Sequence, residues 1–319
     1  MSRNTMRNAI EVKHLQKGYK GVAVLEDVSF AVERGSVFAL LGANGSGKTT
    51  TINILTTLIK ADGGSAVVGG FDVATQPDKV REQISLTGQF AAVDHVLTAR
   101  ENLVLIGELR HIPDPHGTAA QLLEKFDLNE AADRRLLTFS GGMRRRLDIA
   151  MSLVGKAAII FFDEPTTGLD PKGRTDMWET IRDLAENGTT VFLTTQYLEE
   201  ADRLADVIAI LHDGRIVAVG SPDQLKTMVP AGFVELVFGD EEQLAAAQSA
   251  LSERHVVDRA ESRLLVATTG SVAEMADIFL RLRDCGIEPT MFSKQTTTLD
   301  DVFFKILEEE REISHAISE

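Results

Sequence analysis

Three short stretches of this 319-residue chain carry side chains spaced for chemistry. The first is Gly42-Ala43-Asn44-Gly45-Ser46-Gly47-Lys48-Thr49, followed directly by Thr50. Its glycines let the backbone curl until successive N–H groups point inward, a concavity that suits phosphate oxygens. An apolar strand, Ser36–Leu41, precedes the loop, and an apolar-periodic helix is expected from Thr50. The start of that helix adds its dipole, Lys48 neutralises the β- and γ-phosphates, and the Thr49 hydroxyl reaches a divalent cation. Such a loop binds a nucleoside triphosphate.

Asp163 and Glu164 form the second stretch, at the end of Ala158-Ile-Ile-Phe-Phe. Five consecutive apolar residues read as a strand buried on both faces of a parallel sheet. Its C-terminal end faces the crevice where such sheets bind ligands. Asp163 is placed to hold the hydration shell of Mg²⁺, and Glu164 to orient and deprotonate a water attacking the γ-phosphate. The third stretch is Ser140-Gly141-Gly142, before Met143 and Arg144-Arg-Arg146. A serine and two glycines at a helix start make a second anion site. One triphosphate cannot use both cradles of one chain unless the chain folds back on itself. A head-to-tail pair of chains solves that economically.

Positioning these groups requires a layered α/β domain, and residues 10–219 alternate short β-branched runs with helical stretches accordingly. Residues 91–155 read as a mostly helical subdomain. Thr98-Ala-Arg-Glu101 is a capping box opening one helix, Ile112-Pro-Asp-Pro115 breaks it, and a second helix is expected over 119–126. After Gly220-Ser-Pro222 the pattern becomes strand 233–238, helix 241–252, strands 256–259 and 264–268, helix 272–283, strand 289–293, the order of a ferredoxin-like unit. Leu264, Leu265 and Val266 are expected inside it. A last helix is expected from Thr298, with Val302, Phe303, Ile306 and Leu307 on one side. Two domains follow: 1–225 for nucleotide and 226–319 for dimerisation or regulation.

Composition bounds the function. With 44% hydrophobic and 25% charged residues the chain has material for a large core. Its net charge is −15, and residues 226–319 supply −9 of that from eighteen acidic and nine basic side chains. An acidic surface argues against general nucleic-acid binding. Arg144–Arg146 point in three directions on a helix and read as a solvated or interfacial face. No apolar run reaches 18 residues, so the chain is not expected to span a bilayer. Met1–Asn8 lacks the apolar core of a secretory leader. Cys285 is the only cysteine and is expected to be a small buried residue suited to a reducing compartment.

Taken in order, these motifs resemble the ATP-binding cassette (ABC) ATPases over residues 10–224. The resemblance implies a P-loop NTPase fold and assigns roles by position. Tyr19 matches the aromatic that stacks on adenine, and Gln89 the glutamine that touches Mg²⁺ and senses a membrane subunit. Asp170, in Gly168-Leu-Asp170, matches the D-loop, and Gln196 occupies the place of the usual switch histidine. It also implies ATP and Mg²⁺ as cofactors, the metal lying near Thr49, Gln89 and Asp163, with catalysis by Glu164, Gln196 and Lys48. The partners implied are a second copy of the chain and a separate transmembrane permease, with the chain on the cytoplasmic face of the membrane. Phe139-Ser-Gly-Gly-Met-Arg-Arg-Arg-Leu-Asp148, Thr194-Thr-Gln-Tyr-Leu-Glu-Glu200 and Thr298-Leu-Asp-Asp-Val-Phe303 look like the daunorubicin-resistance type of exporter ATPase, which implies drug efflux. An importer or lipid-trafficking cassette, or a non-transport cassette ATPase, shares the same catalytic motifs. Met143 stands where the family has glutamine, losing a polar contact, and Gln196 cannot carry a proton or positive charge as histidine does.

Overall fold

Uninterrupted apolar runs become the centre of a ten-stranded sheet in the computed structural model, which describes residues 7–88, 93–155, 157–228, 233–251, 255–258, 262–268, 271–295, 298–303 and 305–306. The chain divides into two compact units, Met1–Ser221 and Pro222–Glu319. Strands of the first are β1 (Asn8–Tyr19), β2 (Val22–Glu33), β3 (Val37–Leu41), β4 (Gly63–Val68), β5 (Phe71–Asp72), β6 (Ile84–Thr87), β7 (Ile159–Asp163), β8 (Thr190–Thr195), β9 (Val207–His212) and β10 (Arg215–Gly220). Its helices are α1 (Lys48–Leu55), α2 (Pro77–Gln83), α3 (Ala99–Leu109), α4 (Pro115–Lys125), α5 (Gly141–Ser152), α6 (Pro171–Glu186) and α7 (Leu198–Leu204). The sheet order is β5-β4-β1-β2-β10-β9-β3-β8-β7-β6.

Strands β9, β3, β8, β7 and β6 run parallel. Every residue of β3, β7 and β8 is buried, as two-sided coverage demands. Leu41 pairs with Thr195 and Asp163 with Thr194, so the three strands end together at one edge. The sheet curls. β2 lies three places from β3 in strand order, yet Phe30 stacks on Phe38 with ring centroids 5.0 Å apart. Phe192 continues the aromatic core at 5.4 Å from Phe38 and 5.3 Å from Phe161. These rings form one apolar row across β3, β8 and β7, three residues before Leu41 and Thr195. The β1–β2 hairpin turns on Lys20 and Gly21, both at positive φ (50° and 83°), the handedness a two-residue hairpin needs.

In the helical region, Thr98 and Glu101 form the expected capping box at the start of α3. The prolines act differently from the expectation. α4 starts at Pro115 rather than near 119, with Asp114 capping Gly117 N–H at 2.8 Å. Proline at the first helical position surrenders an N–H that has no partner anyway and fixes a helical φ, so it opens α4, while α3 has already ended at Leu109 with His111 at φ 52°. α1 likewise begins two residues early, at Lys48, because the loop itself leads into helical backbone.

The second unit comprises α8 (Pro222–Lys226), β11 (Phe233–Val237), α9 (Glu241–Ala250), β12 (His255–Asp258), β13 (Arg263–Ala267), α10 (Val272–Asp284) and β14 (Met291–Gln295). Its sheet is antiparallel in the order β12-β13-β11-β14, the ferredoxin-like arrangement. Val234, Leu236, Leu264 and Val266 pack with Leu244, Ala247, Ile278 and Leu282 from the helices. Leu265 is only half-buried, because alternate residues of a strand face opposite ways. The last strand begins at Met291, two residues later than expected. Residues 299–303 are helical after Thr298, with Val302 and Ile306 buried; Leu307 and the acidic run 308–312 lie outside the described residues.

Candidate functional site

The loop between β3 and α1 is shaped by where side chains are impossible. A Cβ on Gly42 would meet Leu211 O at 2.5 Å and Ser46 Oγ at 2.6 Å. At Gly47, φ is 109° and a Cβ would meet Leu25 Cδ2 at 2.5 Å, so the loop lies against β2, the strand paired to the one ending in Tyr19. Lys48 is 5% exposed, and its ammonium donates to Gly42 O (2.9 Å) and Ala43 O (3.0 Å), closing the loop around its own cation. Ser46 Oγ is buried without a hydrogen-bond partner among the described residues. A buried hydroxyl of that kind calls for a ligand group.

The edge of the sheet supplies the carboxylates. Thr49 Oγ1 donates to Asp163 Oδ2 at 3.1 Å, and Thr194 Oγ1 donates to Asp163 Oδ1 at 2.6 Å. Glu164 sits in the left-handed region, φ 49°, and its N–H bonds Thr194 O at 3.1 Å. Its carboxylate reaches one neighbour in the loop and one in its own turn. It lies 3.5 Å from Lys48 Nζ and accepts from Thr167 Oγ1 at 3.3 Å. A non-glycine residue held at positive φ stores strain of about 1–3 kcal/mol. Burial pulls the pKa of Lys48 below its ordinary value, and the charges of Glu164 and Asp163 oppose the fall. One cation, two carboxylates and two threonine hydroxyls thus converge where three strands end.

Ser140 caps α5, accepting from Met143 N–H at 3.2 Å. A Cβ on Gly141 or Gly142 would meet nothing within 4 Å, so the chain's own packing does not require glycine there. Asp170 is exposed and caps α6 through Gly173 N–H at 3.0 Å. Both turns lie in one cleft of about 590 Å³, with Lys125, Arg146, Lys172 and Asp176 on its walls. Tyr19 is 46% exposed, with Lys17 Nζ 5.4 Å from its ring centre. Gln196 is half-buried in the first turn after β8. Gln89 lies outside the described residues.

Sequence reasoning missed three residues. Thr194 orients Asp163 from a neighbouring strand; the only signal was a hydroxyl directly after the apolar run Val191–Leu193. Arg145 is the second. The arginine triplet is not simply a solvated face, because Arg145 is buried, donating from Nε to Pro165 O (2.9 Å) and from Nη1 to Gly88 O (2.7 Å) and Asp148 (3.2 Å). It ties the Ser140 helix to the chain just beyond Glu164 and to the residue before Gln89. Burial lowers its pKa, opposed chiefly by Asp148. The third, Glu200, is 1% exposed. Cys285 is exposed, contrary to expectation, because it caps the end of α10 where the helix meets solvent.

Comparison with known proteins places the chain in a family. The ABC transporter family profile matches residues 25–167. The daunorubicin resistance ATP-binding protein DrrA2 of Streptomyces coeruleorubidus is 43% identical, covering 93% of this chain and 94% of that protein. The doxorubicin resistance ATP-binding protein DrrA of Mycobacterium tuberculosis is 40% identical over 98% and 99%. The linearmycin resistance ATP-binding protein LnrL of Bacillus subtilis is 36% identical over 68% and 70%. Among solved structures, an ATP-binding subunit of an ABC transporter aligns at TM-score 0.63 and 31% identity, covering 69% of this chain and 92% of that one. A dimeric post-hydrolysis cassette bound to ADP and Pi aligns at 0.62 and 25%, covering 66% and 98%.

Proposed function

The chain belongs to the ABC transporter ATP-binding family, and from that premise we propose that it is the ATP-hydrolysing motor of an exporter for drug-like compounds. Relatives spanning nearly its whole length are named for resistance to daunorubicin and doxorubicin, which supports export over the other uses of this cassette. No helix among the described residues is long and apolar enough to cross a membrane, so the path for cargo would belong to a separate transmembrane subunit. The chain would then work at the cytoplasmic face, bound to that subunit.

The observation that carries the catalytic reading is the convergence of Lys48, Thr49, Asp163 and Glu164 at one sheet edge. Backbone amides of 43–49 hold the β-phosphate, and the Lys48 ammonium exchanges its loop carbonyls for phosphate oxygens. The unpartnered Ser46 hydroxyl and the Thr49–Asp163 pair fit a phosphate-bound Mg²⁺, which needs few protein ligands. Mg²⁺ would be held by the Thr49 hydroxyl and the Asp163 carboxylate, and would neutralise charge developing on the transferred phosphoryl group. Glu164 orients the attacking water and takes its proton. Tyr19 stacks on adenine, and Gln196 donates to a γ-phosphate oxygen. Ser140, Gly141 and Gly142 close on the nucleotide of a second copy, which explains glycine at positions whose own surroundings are open. The second unit serves dimerisation or regulation.

Glu164→Gln tests the reading: ATP should still bind while turnover falls by about three orders of magnitude. Near-normal turnover in that variant would remove the assignment. Pull-down of the tagged chain from detergent-solubilised membranes should recover a multi-spanning permease, and recovery of a ribosomal or chromosomal assembly would remove the transport role.

A further inference from the structure

Behind the site lies a buried carboxyl that the proposed chemistry does not use. Glu200, on α7, accepts a hydrogen bond at Oε1 from Trp178 Nε1 of α6, at 3.3 Å. Its second oxygen has no hydrogen-bond partner among the described residues. Burial raises its pKa, while the nearby hydroxyls of Thr195 and Thr166, Trp178 and the charge of Arg174 oppose the rise. The charge of Glu200 also helps to oppose the fall in the pKa of Arg145.

The neighbours of Glu200 share a pattern. Thr166 lies two residues past Glu164, Thr195 immediately precedes Gln196, and Trp178 sits on the helix that Asp170 caps. Each therefore belongs to a segment carrying one expected site residue. Further contacts bind α7 to α6. The Arg174 guanidinium lies 5.0 Å from the ring centre of Tyr197, and that of Arg203 lies 5.1 Å from the ring of Trp178. Arg182 donates from Nη2 to Arg203 O. All these contacts flank the Trp178–Glu200 bond, the one place where a buried side chain of α7 meets a buried side chain of α6 through a hydrogen bond among the described residues.

We propose that Glu200 is a positioning residue that joins the turn carrying Gln196 to the helix capped by Asp170, so that the two ends of the site move as one piece. It rests on the reading that Gln196 and Asp170 serve the nucleotide. Neither Glu200 nor Trp178 touches ATP. Their contribution is geometric, and a displacement of about 1 Å in a reacting group costs about a hundredfold in rate.

The test is ATP turnover by the full-length chain, with steady-state kinetics on Glu200→Ala, Glu200→Gln, Trp178→Phe and Gln196→Ala. E200A should lower kcat about tenfold or more, with KM for ATP within about twofold. E200Q retains an acceptor oxygen and should restore kcat to within about threefold of normal. W178F removes the donor from the far side while keeping the Glu200 carboxyl in the chain, and should reproduce the kcat loss even if E200A fails to fold. Trp178 is the only tryptophan in the chain, so its emission reports the contact directly. MgATP should change that emission in the native chain and in E200Q, and leave it unchanged in E200A.

The double variant E200A/Q196A decides the coupling. If the two act as one piece, its loss is no greater than that of the worse single variant. Losses that multiply would overturn the coupling and leave the nucleotide reading intact. Unchanged kcat in Q196A would remove residue 196 from the site and the coupling with it. Unchanged kcat in both E200A and W178F would overturn the proposal outright.

Discussion

Lys48 stands between the carbonyls of its own loop and the Glu164 carboxylate, where burial penalises an ammonium. Its native pKa is below the ordinary 10.5, so between the two values the unfolded chain binds more protons and stability rises with pH. Lys48→Met should therefore flatten the alkaline side of a melting-temperature-versus-pH curve, leave the nucleotide-free chain at least as stable, and abolish stabilisation by MgATP. Thermal melts at several pH values check all three. Glu200 has the opposite sign. Its raised pKa means that stability falls as pH climbs past its ordinary 4.5, and Glu200→Gln should remove that slope. Lys48, Asp163 and Glu164 were legible in the sequence because each lies in a contiguous motif with its own spacing. Thr194, Arg145 and Glu200 were not, because their partners are remote: Asp163 lies 31 residues from Thr194, and Trp178 lies 22 from Glu200. A buried polar residue needs a partner, but its sequence neighbours do not show which one.

At the scale of elements, the loop between β3 and α1 separates two roles of glycine. Gly47→Ala would combine positive φ with a 2.5 Å clash against Leu25, whereas Gly45→Ala at φ 84° meets nothing within 4 Å. The first should cost more stability than the second, which should cost about 1–3 kcal/mol from backbone strain alone. Denaturant titration ranks the two. The capping box of α3 makes a separate, smaller claim: Thr98→Ala should cost about 1 kcal/mol, because it strips an acceptor from Glu101 N–H. Helices and strands were readable from periodicity, and the capping box from its spacing alone. The start of α4 was not, since a pair of prolines reads as a break although proline at the first helical position also opens a helix. Leu265 shows the matching ambiguity for strands. Three apolar residues in a row read as all interior, while the pleat buries only two.

Across the whole molecule, the two units have separate cores, one built on the curled sheet and the other on the ferredoxin-like sheet. Calorimetry of the intact chain should show two unfolding transitions, with MgATP raising only the one that belongs to Met1–Ser221. A single transition shifted as a whole would show the units to be energetically inseparable. The α/β class and the βαββαβ order were legible because both follow from the alternation of periods. The curl of the large sheet was not, because it depends on Phe30 meeting Phe38 across strands that are not neighbours. The unobstructed rim at Gly141 and Gly142 has a kinetic corollary. If each polypeptide supplies half of every catalytic centre, dilute samples obey a second-order law: specific activity climbs with concentration until pairing saturates, and a subunit stranded without a mate leaves the nucleotide pool untouched.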